Sequence, residues 1–139
     1  MKYLIGVYTY IHAYFLSIQF LPLQLFTVIF MTPTREQLEL AAKAAGITVL
    51  PDYVDGVGIM IIGPVGRPEY WEPTTSKSEI FDLMVAIGVE SSFSTSDNYF
   101  FCYSGKYYGC ANIKDHNNDK GLATMWAVFL CAVEIGRAM

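Results

Sequence analysis

"NYFFCYSGKYYGCANI", Asn98 to Ile113, decides how this chain folds. Two short runs rich in tyrosine, phenylalanine and other strand formers flank Ser104-Gly105, the pattern of an antiparallel β-hairpin closed by a tight turn. With a two-residue turn at Ser104-Gly105, Tyr99, Phe101, Tyr103 and Tyr108 line one face, and Phe100, Cys102 and Tyr107 line the other. Both faces are apolar. A sheet that is apolar on both sides needs cover on both, which predicts flanking helices in a layered arrangement.

Downstream of the hairpin, Asp115-His-Asn-Asn-Asp119 reads as a turn that caps a final helix through Asn118 or Asp119. From Gly121 to Val133 that helix carries no charge, only Glu134 and Arg137 marking its end, which predicts a helix buried on nearly every side. Ala123, Ala127 and Cys131 form a small-residue stripe suited to close packing, opposite Trp126, Phe129 and Val133. Core packing and a two-fold dimer contact are alternative uses of its faces.

Upstream, a strand is expected around Val89 to Phe93, and before it a helix. Ser76 and Glu79 form the S-x-x-E capping pattern, followed by Ile80, Leu83, Met84 and Ile87 at amphipathic spacing and then Gly88. Trp71 precedes this cap and Pro73 stiffens the approach, so both read as structural-motif residues. Gly63 to Pro68 is a connector, because no G-K-[ST] follows it and its prolines each remove an amide donor. Asp55-Gly56 predicts a turn between a strand over Ile47 to Leu50 and another over Val57 to Ile62. Thr34 with Gln37, or Thr32 with Pro33, starts a first helix that ends at Gly46. The order is α-β-β-α-β-β-β-α: an α+β chain, a layered α/β/α sandwich of about three helices around a mostly antiparallel sheet of about five strands.

The composition changes at Met31. Tyr3 to Phe30 contains no charged residue, whereas residues 31–139 hold nearly all the charge and read as one domain. Residues 1–30 are an apolar N-terminal extension, either a misassigned start upstream of Met31 or a membrane anchor, since about 20 apolar residues span a bilayer. A signal peptide fits less well, because the run is too long and no small-x-small cleavage site follows.

The sequence also carries a resemblance. Trp71, Pro73 and Thr74 ahead of a helix through Phe81 and Leu83, Asp119 in a polar loop, and an alanine-rich terminal helix (Ala123, Ala127, Ala132) closing on Glu134-Ile135-Gly136-Arg137 resemble small tailed-phage and prophage proteins of the phage ABA sandwich domain type. The similarity runs from about Gln37 to Met139, through short motifs. It implies an α/β/α sandwich acting in the host bacterial cytoplasm, and no catalytic residues, since the family is tied to no known activity. The hairpin from Ile47 to Gly63 is longer than that pattern.

The chemistry-bearing residues are few. The histidines are His12, inside the apolar stretch, and His116. The Asp115 to Asp119 cluster lacks the terminal glutamate and central glycine of an EF-hand loop, so no metal and no cofactor are expected. Glu69 and Glu72 beside Trp71, with Asp82, read as solvated carboxylates. Cys102, Cys110 and Cys131 are an odd count, which opposes a secreted disulfide framework and suits reduced, buried thiols. Net charge is −4 with 16% charged and 53% hydrophobic residues, which excludes an electrostatic footprint for duplex nucleic acid. That apolar surplus asks for a partner.

The expected function is therefore non-enzymatic: a phage accessory protein that binds another protein or itself, with Trp71, Pro73, Tyr99, Tyr103, Tyr107, Tyr108 and Trp126 as its interaction or structural-motif residues. The alternative is the same domain held at the inner membrane by residues 3–30. A third, weaker reading stacks single-stranded nucleic acid on the tyrosines, with only Lys106 and Lys114 near to meet phosphates.

Overall fold

The structure is a computed structural model that describes residues 32–94 and 98–139, with the backbone alone over 91–94. Residues 33–139 form one compact unit. The expectations for residues 3–30 lie outside the described residues.

The first helix, α1 (Arg35–Ala44), starts as its capping pair predicts: the Gln37 N–H donates to Thr34 Oγ1 at 3.2 Å and the Thr34 N–H donates to Gln37 Oε1 at 2.9 Å. Three antiparallel strands follow, β1 (Val49–Val54), β2 (Gly58–Ile62) and β3 (Pro68–Trp71), in the order β1-β2-β3. Strand β1 begins later than the sequence suggests, and its register shifts between Val49 and Tyr53. Pro51 lies in this interval, on an edge strand, where a missing N–H is tolerated. Next come α2 (Lys77–Ile87), β4 (Glu90–Ser94), β5 (Tyr99–Ser104), β6 (Tyr107–Asn112), a 3₁₀ turn (Lys114–His116) and α3 (Lys120–Ala138). Strands β4, β5 and β6 make a second antiparallel sheet in that order.

The α+β class, the three helices and the antiparallel pairing stand as expected, with two differences. The strands divide into two three-stranded sheets rather than one. Pro68–Trp71, which begins where the expected connector ends and to which the sequence assigns no strand, is a sixth strand, with Ile59 facing Trp71 and Ile61 facing Glu69. Proline as the first residue of an edge strand costs no ladder bond, so Pro68 did not mark a break.

Helix α3 organises the core. By length and composition it could cross a membrane, but ten of its nineteen residues, Ala123, Trp126 and Phe129 among them, are buried within the fold. Strands β5 and β6 cover one side of it, and α1 and α2 pack on others. Two glycines permit the closest approaches. A Cβ on Gly109 of β6 would collide with the backbone of Ala127 and Cys131, and one on Gly136 would collide with the backbone of Leu40. The small-residue stripe of α3 therefore meets a glycine on the sheet, and its other small contact receives α1.

In the second hairpin Tyr103 pairs with Tyr108 and Cys102 with Gly109. The turn is Gly105-Lys106, one residue later than expected, and Gly105 supplies its positive φ of 58°. The shift preserves parity, so the two faces carry the residues the sequence assigns to them. The face with Cys102, Gly109 and Ala111 is buried against α3.

Candidate functional site

Two surfaces gather the residues that chemistry or contact could use. The first is the other face of β5 and β6. Along it Tyr99 and Phe101 have ring centroids 6.0 Å apart, Phe101 and Tyr103 6.3 Å, and Tyr103 and Tyr108 6.4 Å. Period-two alternation produces the row, and the cross-strand pairing extends it from one strand to the next. Tyr99 and Phe101 are half-buried, whereas Tyr103 and Tyr108 are 41% and 58% exposed. Tyr107 belongs to the opposite face, where its carbonyl accepts a hydrogen bond from the Cys131 thiol and its ring lies 5.3 Å below Lys106 Nζ. The structure thus brings Tyr99, Tyr103 and Tyr108 together and separates Tyr107 from them.

The second surface surrounds Trp71, which ends β3 and is 4% exposed. Alternation along β3 puts Glu69 on the same face, above Ile61 of β2. On α2, Glu79, Asp82, Leu83 and Ala86 follow i, i+3, i+4, i+7 spacing and share one side of the helix. The segment after α1 closes the remaining wall with Ile47. Together they enclose a cleft of about 590 Å³ with an apolar floor and three carboxylates, from Glu69, Glu79 and Asp82.

A local network fixes its geometry. The Glu79 carboxylate accepts from the Glu72 N–H at 3.0 Å, and the Thr74 N–H and hydroxyl both donate to Glu72 Oε1. Glu72, expected in solvent, is instead buried beside Pro73 and Thr74. Its carboxylate folds back to satisfy Thr74, and the W-E-P-T segment is a turn built around that contact. The S-x-x-E pattern at Ser76 is consequently half a capping box: Ser76 Oγ accepts from the Glu79 N–H at 3.3 Å, but the Glu79 side chain serves Glu72. Burial pushes the Glu79 carboxyl above its ordinary range; Glu72, Glu69 and Asp82 push the same way, and the Glu72 N–H opposes them. Glu69 lies over Gly63, where a β-carbon would strike its carboxyl group.

The other singled-out residues sit in the core. Trp126 is buried, 5.7 Å from Phe129 in an edge-on contact and 5.7 Å from the His116 ring. His116 is 7% exposed, its Nδ1 has no hydrogen-bond partner, and burial lowers its pKa against the opposing effect of Asp115. Asp119 caps α3 by accepting from the Leu122 N–H at 3.0 Å, as the sequence suggests. All three cysteines are free, Cys110 half-buried. The buried Cys102 and Cys131 thiols hydrogen-bond each other, which holds Cys102 up and Cys131 down. Among the described residues no group of three histidine, cysteine or carboxylate side chains is placed to hold a metal.

Comparison with known proteins returns no match to a family model, to a curated protein or to a solved structure.

Proposed function

We propose that this domain is an interaction module that associates with a second copy of itself through the outer face of β5 and β6. The observation that supports the reading is the row of rings from Tyr99 to Tyr108, whose last two members stand 41% and 58% exposed on the sheet face opposite α3. Tyrosines supply large, stiff, amphipathic contact area at small entropic cost, which is why they recur at interfaces. A two-fold axis through such a face lays one row against the other, using the same residues twice.

Stacking of single-stranded bases on the same rings is less well supported. The cation at the hairpin tip, Lys106, is placed over Tyr107 on the other face, and the chain carries a net charge of −4.

Sedimentation of the full chain over a range of concentrations tests the proposal. Association should weaken in the Tyr103→Lys/Tyr108→Lys variant while the melting temperature stays close to the parent value, since both residues are surface-exposed. Association that is absent in the parent, or unchanged in the variant, overturns it.

A further inference from the structure

Four strands end the two sheets among the described residues, β1 and β3 in the first, β4 and β6 in the second. An open edge invites another strand, and proteins guard against this with proline, charge, bulges or short length. Three of the four carry such guards. The register shift in β1 encloses Pro51 and Asp52, β3 is four residues long with Pro68 and Glu69, and β4 begins on Glu90. β6 has none of them: Tyr107–Asn112 contains neither a proline nor a charge, and it pairs with β5 without a shift.

The backbone of β6 alternates in what it offers. Ser104 and Tyr107 flank the two-residue turn, and the Ile113 N–H donates to the Asn98 carbonyl at 2.9 Å. The same parity makes Tyr107, Gly109 and Ala111 direct their backbone groups at β5. Tyr108, Cys110 and Asn112 direct theirs outward, where no described residue hydrogen-bonds them. Beside this edge Leu130 and Glu134 of α3 wall a groove of about 360 Å³ lined by residues 106–110. A strand laid on the edge sends every second side chain toward that groove and the others toward the Tyr108 ring.

We propose that the β6 edge docks an extended segment of a partner polypeptide, which adds to the second sheet as a fourth strand. The edge is distinct from the outer face of β5 and β6, and its use does not depend on self-association. Donors and acceptors that recur at residues 108, 110 and 112 match the repeat of a polypeptide backbone, and the groove takes an aliphatic side chain of that segment beside Leu130. A second copy of this chain is the poorer occupant. Antiparallel pairing of β6 with itself that engages all three outward residues sets Tyr108 against Asn112, and therefore Lys106 toward the Lys114 of that copy. Its two-fold axis stands perpendicular to the sheet, which puts both α3 helices on one side, each beside the groove the other needs.

Titration of the isotopically labelled full chain, at fixed protein concentration, with a blocked Thr-Val-Thr-Val-Thr peptide tests this by amide exchange at single residues. Saturable binding is expected, with exchange slowed at Tyr108, Cys110 and Asn112 and unchanged at Tyr107, Gly109 and Ala111, whose N–H groups β5 already holds. Methylating one alternate set of peptide nitrogens should lower affinity about tenfold and methylating the other set should not, because only one set faces β6. These controls leave the protein unaltered, so its folding is not in question. Four results overturn the proposal: no saturable binding, slowed exchange without the alternation, equal effects of the two methylations, or alternating protection that appears on raising the protein concentration with no peptide present. The last would assign the edge to a second copy.

Discussion

The carboxylate of Glu79 reaches seven residues back to accept the backbone N–H of Glu72 at 3.0 Å, and through it the start of α2 is tied to the end of β3. Glu72 in turn accepts the N–H and hydroxyl of Thr74, so a buried turn has its polar groups satisfied by two consecutive glutamate contacts. Replacing Glu79 by alanine strands the Glu72 N–H and should cost about 1–3 kcal/mol in urea denaturation, whereas Glu79→Gln keeps an acceptor and should cost less. The two differ in pH response. A carboxyl whose folded pKa is raised stabilises fully below its unfolded value, and that contribution is lost as pH rises through the folded value. Glu79→Gln should therefore remove a decline in stability that the parent shows on the alkaline side of about pH 4.5.

Gly109 and Ala127 test the packing of the second sheet on α3. Because a Cβ at Gly109 would occupy the same space as the Ala127 carbonyl, Gly109→Ala must push strand and helix apart. A loss of about 1–3 kcal/mol or more is expected from overpacking, measured as a fall in melting temperature. Gly105, whose prospective Cβ meets nothing, tests a different constraint, its positive φ. Gly105→Asn should be tolerated better than Gly105→Val, because asparagine enters the left-handed region more readily.

His116 gives the fold an acid sensitivity. Burial favours its neutral form, so its contribution to stability is present above the unfolded value of 6.5 and is lost as pH falls through the lowered folded value. The Asp115 carboxylate opposes the shift without cancelling it. This contribution should weaken as pH falls below 6.5, and His116→Phe, which removes the titrating ring and its unpartnered Nδ1, should remove it from the pH profile of stability.

The three cysteines should react unequally with a thiol reagent. Cys102 and Cys131 are free thiols fully buried beneath α3 and the sheet, while Cys110 is half-buried on the aromatic face. One thiol should be labelled quickly in the native protein and two only after denaturation; a single rapid phase of three thiols would contradict the packing of Cys102 against α3.

The parts of this fold that the sequence discloses are those governed by local rules. Thr34-Gln37 closes its capping box, Asp119 caps α3, and strand alternation sorts Tyr99, Phe101, Tyr103 and Tyr108 from Phe100, Cys102 and Tyr107 even though the turn lies one residue later. What escaped depends on contacts distant in sequence. Glu72 looks like a surface residue until Thr74 and Glu79 are folded around it, and Ser76-Glu79 looks like a complete box until Glu79 is drawn to Glu72. Glu69 is exposed, as its reading as a solvated carboxylate has it, but Pro68 masks the strand that places it beside Trp71. The signal was available: Glu69 and Trp71 are two apart, and Glu79, Asp82, Leu83 and Ala86 share a helical face. Gly109 and Gly136 were silent, since nothing local tells a packing glycine from a turn glycine.

Hydrogen–deuterium exchange of the full chain at low and high protein concentration tests the central claim most directly. If the outer face of β5 and β6 is the contact surface, protection at high concentration should increase in Tyr99–Ser104 and Tyr107–Asn112 and disappear in the Tyr103→Lys/Tyr108→Lys variant. Protection that appears elsewhere, or does not depend on concentration at all, would contradict the account.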